Sequence, residues 1–392
     1  MSKKSNSDNT ESTRELRELD AKVKRHLIKK NIIRTVTVTL AVAFVIYIIW
    51  HVITKKYEDY SVLSTVDKEV GDNTVTASYK DGFIKYDNDG ITCYDSMNKV
   101  LWQQSYEFRN PIASVCGSYV AVSGLEKSEV IVFSEKGKLV TIDTLLPIME
   151  VDVTDVGAVV VTLYDGETSY IRMYDSMANI IYELKKVTWG DGYPVAVAVS
   201  DDGKRLALSM SYVGKGVLKH KLMFYNFSKV GQNEVDNFVG EFESEDIMTE
   251  IRFLPKNRFL AISSKNMQVY TYEEYPKLSK NAKFGYEPKS VFVTDDRIAT
   301  LHDGTKGQEL DVYDMNCKKL LNKKLDRTYE NLALSDKGVM LYNSDHACLI
   351  NKSGRVKFEY DFDIPVNSIL WMPGKNRFAF VNVRSIQQVI LK

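Results

Sequence analysis

Hydrophobic and polar positions fall into three successive patterns along the chain. Residues 1–34 are polar and end in a basic cluster of Lys22, Lys24, Arg25, Lys29, Lys30 and Arg34. Residues 35–53, TVTVTLAVAFVIYIIWHVI, contain no Asp, Glu, Lys or Arg. As a helix that stretch spans about 28 Å, one hydrocarbon core. From residue 54 to 392 short apolar runs alternate with tight polar turns. No run there keeps a helical period long enough to argue for a helix layer.

The third pattern repeats itself. A short apolar strand ends in an aromatic residue, then Asp or Asn, a turn and a second strand. Copies include ITCYDSMNKVLW (91–102), IRMYDSMANII (171–181) and LDVYDMNCKKL (310–320). The anchoring residues are Tyr94, Phe133, Tyr174, Tyr225, Tyr270, Tyr313 and Ile350, at spacings of 37 to 51 residues. Half a period away lies a hairpin motif, as in VAVAVSDDGKRLALS (195–209) and NLALSDKGVMLY (331–342). Its turns carry Asp, Gly and Asn, which accept positive φ or cap their own backbone. Pro111, Pro147, Pro194, Pro288 and Pro365 open the first strand of their repeats, where a missing amide donor is tolerated.

Four short strands per repeat of about 40 residues is the period of a propeller blade. The pattern predicts an all-β fold: a β-propeller over residues 54–392, preceded by one transmembrane helix and a short cytoplasmic tail. Eight blades are favoured; seven is the alternative, because the copy around residues 210–250 is irregular. An eighth third strand at 387–391 leaves the last blade without an outer strand, which residues 60–66 (YSVLSTV) can supply to close the ring.

At these residues the chain resembles a known architecture. YDSMNKVLW (94–102) is similar to the repeat of quinoprotein-dehydrogenase-like propellers, and PIASVCGSYVAVSG (111–124) to the strand pair that precedes it. SDDGKRLALS (200–209) resembles the hairpin of WD40-like and TolB-like propellers. The likeness covers about residues 60–392, and it is greatest to single-span, propeller-bearing proteins of unknown function from Gram-positive anaerobes. Two departures stand out. Of four Trp only Trp102 fills the repeat's Trp position, and Cys93, Cys116, Cys317 and Cys348 are separate where quinone-binding members carry a vicinal pair. The resemblance therefore implies the cofactor-free members, among them an envelope-assembly scaffold that uses its ring as a protein-docking platform.

Charge changes the picture through its distribution. In the whole chain 52 Lys+Arg balance 52 Asp+Glu, which argues against a nucleic-acid partner. Residues 1–34 nevertheless hold 10 basic and 5 acidic residues. Six basic residues lie within the 15 positions before Thr35, against three (Lys55, Lys56 and Lys68) in the stretch after Ile53. The positive-inside rule predicts a cytoplasmic tail at 1–34, a signal-anchor span at 35–53 held in the lipid bilayer, and an extracytoplasmic propeller in the cell membrane's outer space. Tyr47, Trp50 and His51 suit the interfacial zone. No small-x-small cleavage pattern follows the apolar run, and no cysteine precedes Cys93, which disfavours a cleaved or lipoprotein signal. In the tail, Ser12 and Glu15 have capping-box spacing, and Leu16, Leu19, Val23 and Leu27 fall at helical intervals.

Chemical motifs are sparse. The five histidines form no HExxH or His-x-His pair, and His302, within HDGTKG, reads as a solvated turn histidine. Asp87-Asn88-Asp89-Gly90 reads as a hairpin turn rather than a calcium loop. No catalytic, cofactor-binding or metal-binding residue is expected. The loops that enter each first strand offer a rim of Phe108, Arg109, Trp189, Tyr193, Tyr286, Arg327 and Tyr329. Trp, Tyr and Arg dominate binding hot spots because they bury large areas while keeping a polar handle. The connection at 211–221 adds Lys215, Lys219, His220 and Lys221 on the same side. The leading expectation is a binding or scaffold module for a protein or cell-envelope ligand, without catalysis. One alternative is a propeller enzyme acting on a glycan or using a bound cofactor, with acids such as Asp152 converging on the central channel. Another is a single-span sensor that signals through the tail.

Overall fold

The computed structural model describes Lys24, His26, residues 29–48, Trp50, and residues 54–67 and 74–392. Ser12, Glu15, Leu16, Leu19, Val23, Leu27 and His51 lie outside the described residues. The chain divides into two compact units, Met1–Lys56 and Tyr57–Lys392.

In the first unit, Lys29–Ile48 is a helix long and apolar enough to cross a membrane, with no part of it buried in protein. Its β-branched threonines are compatible with that role. Thr35, Thr37 and Thr39 donate their hydroxyls to the carbonyls of Asn31, Arg34 and Thr35, each at 2.9 Å, so these three hydroxyls are satisfied within the helix.

The second unit is an eight-bladed β-propeller. Eight four-stranded antiparallel sheets follow in order: blade 1 (75–105), blade 2 (111–143), blade 3 (148–187) and blade 4 (193–244). Blade 5 (250–283), blade 6 (290–324) and blade 7 (331–361) continue the series. Blade 8 (366–391) has only three consecutive strands, and its outer strand is Tyr60–Asp67, which pairs antiparallel with Ser385–Leu391. The second and third strands of a blade are apolar on both sides because a neighbouring blade covers each face. Gly338–Tyr342 is buried throughout, whereas the outer strand Lys319–Lys324 alternates exposed and half-buried.

Each anchoring residue of the repeat is buried between blades: Tyr94, Phe133, Tyr174, Tyr225, Tyr270, Tyr313 and Ile350 are all at most 5% exposed. Trp102 stacks on Phe133 of the next blade at 5.0 Å with planes 2° apart. The Asp or Asn after the anchor builds the following turn. Asp95 accepts the N–H groups of Met97 (2.8 Å) and Lys99 (2.9 Å), and Asp175, Asp314 and Asn351 do the same in their blades. The turn then needs a left-handed residue, supplied by Asn98 (φ 64°), Ala178 (φ 66°), Cys317 (φ 60°) and Gly354 (φ 76°).

The seam between blade 8 and blade 1 is stitched by amides. Asn98 donates to the carbonyls of Ile386 (3.3 Å) and Ser64 (3.4 Å), while Gln388 donates to Asn98 Oδ1 (3.0 Å) and to the Asp95 carbonyl (3.3 Å). Cys93, Cys116, Cys317 and Cys348 are free thiols. Burial above all pushes Cys93 and Cys116 up to about 12 and Cys317 and Cys348 up to about 11, so they stay protonated and unreactive at neutral pH.

Candidate functional site

Because successive strands of every blade alternate in direction, the connections between blades and the turns joining second to third strands share one face. The rim lies there. On the opposite face, Tyr57 pairs with Phe358 and its hydroxyl accepts a bond from Asn376 Nδ2 at 2.6 Å, which fixes where the chain enters the ring.

The structure divides the seven rim residues. Phe108 and Tyr329 are 5% and 4% exposed: Phe108 stacks on Tyr106, and Tyr329 is held by Gln308, whose side chain bonds both its N–H and its carbonyl at 2.8 Å. Burial between blades removes these two from any partner's reach. Tyr286 is half-buried and engaged internally, its hydroxyl within 2.9 Å of Thr300, Asp311 and Tyr313. Tyr193 is also half-buried, edge-on to Tyr164 at 5.8 Å. Arg327 is exposed but paired with Asp361 at 2.8 Å, a carboxylate that also takes His346 Nδ1 at 2.6 Å. Arg109 and Trp189 remain, and Trp189 is 91% exposed.

His302 corrects the sequence reading. It is 5% exposed, not solvated, and stacks on Tyr286 with centroids 3.5 Å apart. Burial lowers its pKa despite the nearby Asp311 and Glu309, so the ring is neutral. Beneath it lies a fully buried carboxylate. Asp311 takes bonds from Lys319 (2.6 Å), Asn322 (2.7 Å), Tyr286 (2.7 Å) and Tyr313 (3.0 Å). Burial opposes its ionisation, yet these donors outweigh burial and hold it below the usual carboxylate range. Asp311 is satisfied from within the blade, whereas the buried His302 Nδ1 has no hydrogen-bond partner among the described residues.

Trp189 has apolar company that the sequence did not reveal. The connection at 211–221 is an extension of two ten-residue strands, Arg205–Gly214 and Val217–Asn226, into a projecting hairpin. Lys215 (φ 55°) and Gly216 (φ 78°) form its two-residue turn. Val213, Val217 and Leu218 at the tip are 72%, 62% and 62% exposed. A Cβ placed on Gly192 would lie 2.4 Å from the Ser211 carbonyl, so the Trp189 loop packs directly on this hairpin. Lys219 and Lys221, by contrast, pair with Glu243 (3.8 Å) and Glu241 (2.8 Å) and add little net charge.

A second feature lies at the centre of the ring. A cavity of about 410 Å³ is lined by the inner strands of blades 2 to 5 and includes Ser114, Glu150, Asp152, Glu250 and Arg252. Carboxylates bridge the inner strands. Asp152 accepts Ser114 Oγ of blade 2 (2.6 Å) and the Val199 N–H of blade 4 (3.3 Å), and Glu150 accepts the Val197 N–H (3.1 Å). Burial, then the charge of Asp152, pushes Glu150 up to about 7. Burial also raises Asp152 and Glu250, opposed by hydrogen bonds at the first and by Arg252 at the second. Among the described residues no group of His, Cys, Asp and Glu is arranged to hold a metal ion.

Eight four-stranded blades in a closed ring define an eight-bladed β-propeller, and solved structures share that fold. BamB from Moraxella catarrhalis superposes with a TM-score of 0.55 at 10% identity, over 85% of this chain and all of its own. Sqt1 from Saccharomyces cerevisiae gives 0.58 at 9% identity, over 86% of this chain and all of its own. The computationally designed Ika8 gives 0.56 at 13%, with the same coverage. Residues 53–391 match DUF5711, a family of unknown function, and the chain belongs to that family. A search of curated protein sequences finds no match.

Proposed function

We propose that this protein is a membrane-anchored, extracytoplasmic propeller that binds a protein or another cell-envelope component through its rim and performs no catalysis. The observation that carries this reading is a group of exposed apolar side chains on one face of the ring: Trp189 on its loop and Val213, Val217 and Leu218 on the neighbouring projecting hairpin. Exposed aromatic and aliphatic side chains concentrated on one face are the composition of an interface core. The apolar helix at Lys29–Ile48 supports anchoring, and the basic excess before residue 35 supports a cytoplasmic amino terminus. Two experiments test it. A photo-crosslinking side chain at Val217 in intact cells should capture one envelope component, and Trp189→Ala with Leu218→Ser should abolish capture. No product from the parent chain would count against the reading. Met177→Cys, at an exposed position, should react with a membrane-impermeant maleimide in intact cells; reaction only after lysis would reverse the topology.

One observation favours a second reading, an enzyme working in the channel: a carboxyl poised near 7 is suited to general acid chemistry. Both oxygens of its neighbour Asp152 are tied to backbone and hydroxyl donors, which suits a structural bridge better. Glycan turnover lost in Glu150→Gln and retained in Trp189→Ala would favour the enzyme.

A further inference from the structure

Four aromatic rings meet where the closing strand joins blade 8 to blade 7. Tyr60 lies 5.1 Å from Tyr360 and 5.2 Å from Phe380, centroid to centroid. Phe362 completes the circuit at 5.4 Å from both Tyr360 and Phe380. Adjacent planes are inclined by 57° to 82°, so the rings present a mixture of faces and edges. Three elements deliver them: the closing strand, the outer strand of blade 7 with the loop after it, and the second strand of blade 8.

All four rings line a pocket of about 130 Å³, together with Asp363 and Asn382. That volume is close to the roughly 150 Å³ of an engineered cavity that admits benzene, so a compact branched head group fits. Tyr60, Tyr360 and Phe362 are only half-buried, leaving the pocket open to solvent. Asp363 is exposed, and among the described residues it has no hydrogen-bond or ion-pair partner. Elsewhere in the ring aromatic faces are covered by the protein's own cations: Arg205 lies over Tyr272, Lys221 over Tyr212 and Lys319 over Tyr286. Among the described residues no Lys or Arg lies over any of the four rings at the seam. Burial first, then the neighbouring Tyr360 phenol, and last the carboxylates of Asp59 and Asp363 hold the Tyr60 phenol above its usual pKa. The pocket therefore combines aromatic π-faces, negative potential and no internal counter-ion.

We infer that this seam pocket binds an alkylated ammonium group, of the size and charge of trimethylammonium, against the half-buried rings of Tyr60, Tyr360 and Phe362, with the buried Phe380 as floor and the carboxylate of Asp363 at the mouth. Ring quadrupoles attract a cation whose charge is spread over methyl groups, and such a cation loses little hydration on entering. An unpartnered carboxylate supplies the long-range attraction.

Calorimetric titration of the full chain, in maltoside micelles, with choline tests the inference. Saturable binding at one site per chain is expected. Tyr360→Leu should weaken it roughly tenfold by removing one π-face while keeping an apolar wall. Asp363→Asn should weaken it roughly fivefold by removing the charge and preserving shape. Trp189→Ala, on the rim, should leave it unchanged, and unaltered melting of each variant shows that the seam is intact. Phosphocholine in place of choline distinguishes a head-group ester from the free amine; tighter binding of either still supports an ammonium site. Absence of saturable choline binding would overturn the inference. So would equal binding of 3,3-dimethylbutan-1-ol, the neutral isostere, because the pocket would then be selecting shape and not charge.

Discussion

Single residues here are governed by two demands, backbone conformation at turns and burial between blades. Ala178 and Cys317 occupy the left-handed position of the repeat's turn, where Gly354 and Asn98 stand in other blades. A Cβ is disfavoured at such φ, so Ala178→Gly should raise stability by about 0.5–1 kcal/mol, read as a shift in the urea midpoint at constant slope. Burial separates the rim residues in the same way. Tyr329→Ala should destabilise by about 3–5 kcal/mol, while Trp189→Ala should change stability by less than about 0.5 kcal/mol. If the two variants melted alike, the division of the rim into core and surface would be wrong. Residue identity could not make that division from the sequence. FRNP and TWGDGYP both combine aromatic and turn-forming residues, but Phe108 is buried and Trp189 is almost fully exposed.

At the scale of elements, the strands were legible because each carries its own signal: an apolar run, a terminal aromatic, an Asx turn. The eight-blade count followed from that period, even through blade 4, whose long hairpin broke the spacing. Less legible was the pairing between elements distant in sequence. Glu150 and Glu250 join Asp152 in lining the channel only because the inner strands of blades 3 and 5 turn those faces inward, and a strand's alternation does not say which side is the channel. The amides at the seam are equally silent in sequence. Asn98 sits in a turn that looks like its counterparts, yet it alone reaches into blade 8. Asn98→Ala should therefore cost about 2–3 kcal/mol, more than a turn residue elsewhere, because it deprives the buried Gln388 amide of one of its two acceptors as well as straining the turn. Urea unfolding of the variant beside Ala178→Gly checks the contrast.

For the whole molecule, the acids at the centre of the ring tune stability to pH in an unusual direction. Glu150 binds its proton more tightly when folded, near 7, than at the ordinary value of 4.5 when unfolded. Between those values the unfolded state holds fewer protons, so the Glu150 contribution to stability falls as pH rises from 4.5 to 7 and is level above. Glu150→Gln keeps an acceptor for the Val197 N–H and removes the charge. The variant should match the parent near pH 4.5 and exceed it by about 1–3 kcal/mol at pH 8, measured by urea unfolding at both values. A parent and variant separated equally at both pH values would show that folding does not raise the Glu150 pKa.

The closing strand also has a consequence for how the protein is made. Every strand of blades 1 to 7 finds its partner nearby in sequence, but Tyr60 waits for Leu391, about 330 positions later. During synthesis the first strand of the ring is thus an unsatisfied edge until the last one leaves the ribosome. A chain cut short before Ser385 has nothing to offer it, and its ring stays open. Ring closure therefore requires translation to have passed Ser385–Leu391, and a protease that recognises unpaired edges would remove the chains that stop before it.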